Sequence, residues 1–275
     1  MCSAVETPIS VPDASDNNKM IPRNATYCVL DVETTGLSKL NDRIVQIACV
    51  KVKPTGDKES WMSYINPCMD REKQLAGGYK VHHLSPDMLL KKPKFSEIVE
   101  SLWRFLCGAE YLVAYNCLYD WDMLCQEFRR IDRTESGYTK LEEEFVKKFT
   151  WIDVLRLSIS SFPSLSNHKL ETVAKHLKIE YMSRTTYTYK SSFNSGEVEA
   201  VSVTEQSCDP WQGGAHDAMC DVLTTNSVLQ EAMGKLNITQ LQNLVSEIPH
   251  IVLDTILFKD IEQLLSKRQE SLVRI

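Results

Sequence analysis

No run of about 18 or more apolar residues occurs in the chain, so an obvious membrane-spanning helix is excluded. The first twenty residues also lack the charged, apolar, then small-residue order of a secretory leader. Both absences lead us to expect an intracellular protein, cytoplasmic or nuclear, with no membrane partner. Positive charge is in short supply: 31 Lys+Arg against 37 Asp+Glu leave a net charge of −6. A polyanion could not be held by net charge alone, and would need metal ions or a local basic patch. The nine cysteines form neither a CxxC pair nor a His/Cys cluster of zinc spacing, which excludes a zinc ribbon or a regular disulfide framework. Reduced and mostly buried thiols are expected instead, among them Cys28, Cys49, Cys117, Cys125 and Cys220. Internal repeats and coiled-coil heptads are missing too.

What is present is a core-forming composition, 43% hydrophobic over 275 residues. Residues 1–22 are polar, proline-containing and aperiodic, which predicts a disordered tail. Tyr27 to Asp31, Arg43 to Lys53 and Ser60 to Ile65 read as three sequential strands joined by short polar links, hence an antiparallel meander. The period then changes. Phe95, Ile98, Val99, Leu102, Phe105 and Leu106 predict an amphipathic helix closing near Gly108. Tyr111 to Tyr115 reads as a buried strand followed by a helix carrying Trp121, Leu124, Cys125 and Phe128. Thr150 to Val154 and the helical positions Leu170, Val173, Ala174 and Leu177 repeat that order. Alternating strand and helix implies parallel crossovers, so the expected class is α/β: a mixed sheet, three antiparallel strands followed by parallel ones, flanked by helices. Residues 179–214, rich in Ser, Thr and Tyr, are longer than a loop within a compact domain. The pattern from Ala215 onward is helical, and residues 234–275 form a helical extension whose Leu257, Ile261, Leu264 and Leu265 suit packing.

Three acidic segments carry the chemistry. Asp31 and Glu33 lie two apart at a strand end, so the strand period points both to one face, where like charges repel unless a cation lies between them. Solvated acids on an exposed edge are the plain alternative, weakened by the apolar lead-in from Tyr27 to Leu30. Asp120 stands where a strand gives way to a helix; by itself it reads as an N-cap, and a functional role requires it to face a neighbouring strand end. The segment from Ala215 to Asp221 opens a helix after two glycines. His216 and Asp221 are five apart, and share a target only if His216 lies at or before the first turn. Asp217 is a rival ligand to Asp221 on spacing alone.

Together, Asp31-Val-Glu33-Thr-Thr-Gly-Leu37, Tyr115-Asn-Cys-Leu-Tyr-Asp120 and His216 with Asp221 resemble the three motifs of the DnaQ-like, DEDDh family of 3′-to-5′ exonucleases. Tyr79 to Leu89 and Leu170 to Leu177 resemble its connecting segments. The resemblance implies an RNase H-like exonuclease domain over 23–233, interrupted by the 179–214 insertion. Two positions depart from the family's habit, Tyr115 in place of His and Tyr119 in place of Phe.

It further implies a ligand set of Asp31, Glu33, Asp120 and Asp221 for two divalent cations, Mg²⁺ or Mn²⁺, and His216 as general base for water. Nucleoside 5′-monophosphates would leave from a free 3′ end. Thr34, Thr35 and Leu37 become candidates for binding the terminal nucleotide, Leu37 as an apolar wedge. Lys91, Lys92, Lys94, Arg184 and Lys190 could follow the backbone. The favoured substrate is single-stranded DNA. The alternatives are an RNA-trimming exoribonuclease, or a non-catalytic nucleic-acid-binding or polymerase-docking subunit. The insertion or the C-terminal helices offer room for a protein partner.

Overall fold

The computed structural model describes residues 25–134, 141–179 and 217–235. The expected tail, and all but the first residues of the insertion and of the C-terminal extension, lie outside the described residues, as does His216. Five strands form one sheet in the order β3-β2-β1-β4-β5. They are β1 (Tyr27–Thr34), β2 (Ile44–Val52), β3 (Lys58–Tyr64), β4 (Tyr111–Ala114) and β5 (Thr150–Asp153). The first three are antiparallel neighbours, and β4 and β5 add in parallel beside β1. The chain therefore forms the mixed α/β sheet that the strand spacing predicts.

Alternation along β1 divides the core in two. Cys28, Leu30 and Val32 join one buried cluster with the helices α4 (Phe95–Leu106), α5 (Cys117–Thr134) and α6 (Leu141–Lys148). Tyr27 and Val29 face the other way, toward α7 (Val154–Ser161), α8 (Leu170–His176) and α9 (Ala218–Met233). Strand β2 is buried at every position because helices cover both faces, which explains its unbroken apolar run. Helix α4 buries all six residues of its predicted stripe. Helix α9 is buried on nearly every side, through Ala218, Val222, Val228 and Leu229 among others, as expected of a central helix without a polar face.

Three short helices, α1 (Arg71–Ala76), α2 (Tyr79–His82) and α3 (Pro86–Leu89), occupy the link between β3 and α4. They are too short to show a helical period. Helix α5 begins at Cys117, so Asp120 lies within its first turn, and the N-cap reading of that residue does not hold. No described helix is long and apolar enough to cross a membrane.

Candidate active site

The site begins with a mismatch in strand length. Strand β4 pairs with β1 only from Tyr27↔Tyr111 to Val29↔Val113, whereas β1 runs on to Thr34. Beyond that point the β4 side of β1 exposes backbone donors that the ladder cannot satisfy. Asp120, rising from α5, fills the notch: its Oδ1 accepts from the Val32 N–H at 3.1 Å. One carboxylate is thus held between the two acids of β1, from the opposite side of the sheet.

Asp31 and Glu33 lie on the α9 face of β1, opposite Ala48 and Gln46 of β2. Helix α9 supplies Asp221 in its first turn. Ligand atoms of Asp31, Glu33 and Asp221 all lie within 4.8 Å of one another. Asp217 takes a different part: it caps α9, its Oδ1 accepting from Cys220 N at 3.3 Å and its Oδ2 from Gln46 Nε2 at 3.2 Å. Of the two rivals, Asp221 is the one whose carboxylate joins Asp31 and Glu33.

Crowding has an electrostatic consequence. Loss of hydration raises the Asp31 carboxyl well above the ordinary carboxylate range, and the charges of Asp221, Asp120, Glu33 and Asp217 raise it further. Asp120 is raised likewise, chiefly by burial, against the lowering effect of its backbone hydrogen bonds. Carboxylates gathered away from water are costly to a folded protein unless a cation offsets them. An all-oxygen donor set of this kind fits a hard divalent cation such as Mg²⁺ or Mn²⁺.

The loop after β1 is braced from several directions. Thr35 Oγ1 donates to Asp42 Oδ1 at 2.7 Å and accepts from Arg43 N at 3.0 Å. Thr34 Oγ1 lies 2.7 Å from the Tyr119 hydroxyl, which donates to Gly36 O at 2.8 Å. Burial pushes the Tyr119 phenol up to about 12, with its bond to Thr34 acting in the opposite sense, so it remains a donor at neutral pH. Gly78 N donates to Thr35 O at 2.7 Å. Arg43 grips the buried Glu127 of α5 at 2.7 and 2.8 Å, and Arg130 reaches the Leu40 and Asp42 carbonyls. Thr34 and Thr35 thus spend their hydroxyls inside the loop, whereas Leu37 is 86% exposed.

Of the nominated cations, Lys91 and Lys94 are exposed and Lys92 lies over the Tyr64 ring; Arg184 and Lys190 are outside the described residues. Two residues not singled out from the sequence belong to the site's frame. Gln46 is fully buried on β2. Asp153 ends β5, caps α7 through Leu155 N and also accepts from Asn116 N, both at 3.0 Å, which ties down the start of α5. A polar residue within or closing an apolar run was the available signal for both.

The RNase_T exonuclease family matches residues 28–184. Over 158 residues the chain is 34% identical to a PolC-type DNA polymerase III of Oceanobacillus iheyensis, covering 56% of this chain and 10% of that protein. The PolC-type polymerase of Bacillus cereus is 31% identical over 170 residues, 62% of this chain and 11% of that one. The chain thus spans about a tenth of the length of these relatives. Among solved structures, E. coli Exonuclease I in complex with a dA16 oligonucleotide superposes with a TM-score of 0.51 at 16% identity, over 80% of this chain and 42% of that one. A zinc-bound E. coli ExoI-ssDNA complex gives 0.52 at 16% identity, over 82% and 42%. At such identities the likeness speaks for the fold, and the fold is RNase H-like. With its fold, acidic cluster and motif order in agreement, the chain belongs to the RNase_T exonuclease family, in its DnaQ-like, DEDDh branch.

Proposed function

We propose that the chain is a divalent-metal-dependent 3′-to-5′ exonuclease that hydrolyses phosphodiester bonds at the 3′ ends of single-stranded nucleic acid, DNA by preference, releasing nucleoside 5′-monophosphates. The observation that carries this reading is the convergence of Asp31, Glu33 and Asp221 with Asp120 held beside them. A pure binding module gains nothing from negative charge gathered where phosphate must go.

Asp31, Glu33, Asp120 and Asp221 would hold two cations, Mg²⁺ or Mn²⁺, which would supply polarisation of the phosphodiester and stabilisation of the departing 3′ oxygen. His216, as a neutral imidazole, accepts the proton of the attacking water. The water oxygen bonds to phosphorus as the bond to the 3′ oxygen of the penultimate nucleotide breaks. Thr34 and Thr35, with their hydroxyls engaged internally, shape the loop and leave its backbone to the terminal nucleotide; exposed Leu37 is the wedge between the last bases. The DNA polymerase III relatives support DNA as the substrate, and a polymerase or replication protein as partner.

The test uses 5′-labelled single-stranded DNA and RNA with Mg²⁺, Mn²⁺ or chelator. We expect DNA shortened from its 3′ end with either metal, and no shortening with chelator. Shortening of RNA alone would move the assignment to RNA trimming. Binding of both polymers without cleavage under either metal would overturn the catalytic reading.

A further inference from the structure

The helix that delivers Asp221 must arrive in a defined rotation, because one residue of slip turns a helical side chain by about 100°. Gln46 holds that arrival. It is 0% exposed, the third residue of a strand that is buried at every position. Its Nε2 donates to Asp217 Oδ2 at 3.2 Å, and its Oε1 accepts from the Ala218 N–H at 3.4 Å. Asp217 in turn caps α9, and its carbonyl accepts from Asp221 N at 2.9 Å. One amide therefore clasps both the side chain of the cap residue and the first backbone donor of the helix.

The other end of the clasp is equally informative. Gln46 is the direct register partner of Glu33 across the β1–β2 pair, so the two side chains share a face. The rung that carries Glu33 is thus also the rung that fixes the start of the Asp221 helix.

We infer that Gln46 is a positioning residue for the acidic centre, setting α9 against β1 so that Asp221 meets Asp31 and Glu33. The inference rests on the metal-dependent reading of the site. Residues in contact with a metal's ligands, or with the elements bearing them, typically change affinity by about 10- to 100-fold when altered.

Calorimetric titration of the full chain with MnCl₂ alone tests this without relying on turnover. Gln46→Met keeps the volume and burial but removes the amide's contacts with Asp217 and Ala218, along with its donation to Met62 Sδ at 3.2 Å; we expect its Mn²⁺ dissociation constant to rise by about 10-fold or more. Gln46→Glu puts a second acceptor against Asp217 and should bind no better. Combining Gln46→Glu with Asp217→Asn reverses donor and acceptor at unchanged net charge, and should recover most of the lost affinity. Wild-type affinity in a folded Gln46→Met variant, or no recovery in a folded double variant, overturns the positioning role while leaving the metal site intact. A wild-type chain that takes up no Mn²⁺ overturns the metal-dependent reading and this inference together. Should Gln46→Met fail to fold, the double variant carries the decision.

Discussion

Asp31 is crowded by four other carboxylates, and that makes it a residue whose removal should help the fold while destroying its use. Replacing Asp31 by Asn keeps the shape and deletes the charge that Asp221, Asp120 and Glu33 oppose. We expect the melting temperature of metal-free Asp31→Asn to exceed that of wild type, and its response to Mn²⁺ to vanish, as read by thermal denaturation with chelator and with metal. A lower melting temperature without metal would show that the carboxylate is engaged in a stabilising bond rather than in repulsion. His216 is tested by rate. His216→Ala should slow hydrolysis by about 10² to 10⁴, the usual contribution of a general base, with Mn²⁺ affinity little changed. Normal turnover would remove it from the reaction. At this scale the sequence was informative where a strand period of two, or a motif order, pairs residues: Asp31 with Glu33 could be read directly. It was silent on the Gln46 to Asp217 contact, because 171 positions separate the two and the order of amino acids does not state which strand a distant helix crosses.

The elements show a similar division. Strands β1 to β5 and helix α4 could be read because burial on one or both faces imposes a period on the residues. Helices α1 to α3 could not, since each is too short for a period of its own; the α1–α2 junction lies against the loop after β1, and α3 buries Leu89 with Val45 and Leu84. Gly77 and Gly78 show how close those contacts are. A Cβ at Gly77 would lie 2.0 Å from Thr35 O, and one at Gly78 would lie 1.9 Å from Thr34 O. Real atoms cannot approach so closely, so α2 can seat against the loop only where no side chain intervenes. Gly78→Ala should force the two segments apart at a stability cost of about 1–3 kcal/mol. The displacement moves the loop proposed to receive the terminal nucleotide, so KM for a single-stranded oligonucleotide should rise. Urea denaturation and steady-state kinetics check the two effects separately. Unchanged stability would mean that the close approach is not required for the fold.

Over the whole molecule, the acidic centre couples stability to pH and to metal. Asp31 and Asp120 have pKa values raised above those of an unfolded chain, and Asp153 is raised by its burial in the same region. Between the unfolded and folded pKa values, the native state binds more protons than the unfolded state. Stability must then fall as pH rises through that interval, since the slope of unfolding free energy with pH follows the difference in protons bound, unfolded minus native. The contribution is complete below the ordinary carboxylate range and is lost as pH climbs through the raised values. This is the reverse of an acid held by a salt bridge, such as the half-buried Glu59, whose carboxyl is lowered by Lys53. Divalent metal favours the ionised carboxylates and competes with protons for them. Melting temperatures measured in chelator should therefore decline from mildly acid toward neutral pH, and the increment produced by Mn²⁺ should grow over the same interval. Asp31→Asn should flatten the metal-free decline and remove the increment. A wild-type melting temperature that rises with pH in chelator, or a Mn²⁺ increment that shrinks, would contradict the assignment of mutual repulsion to this cluster.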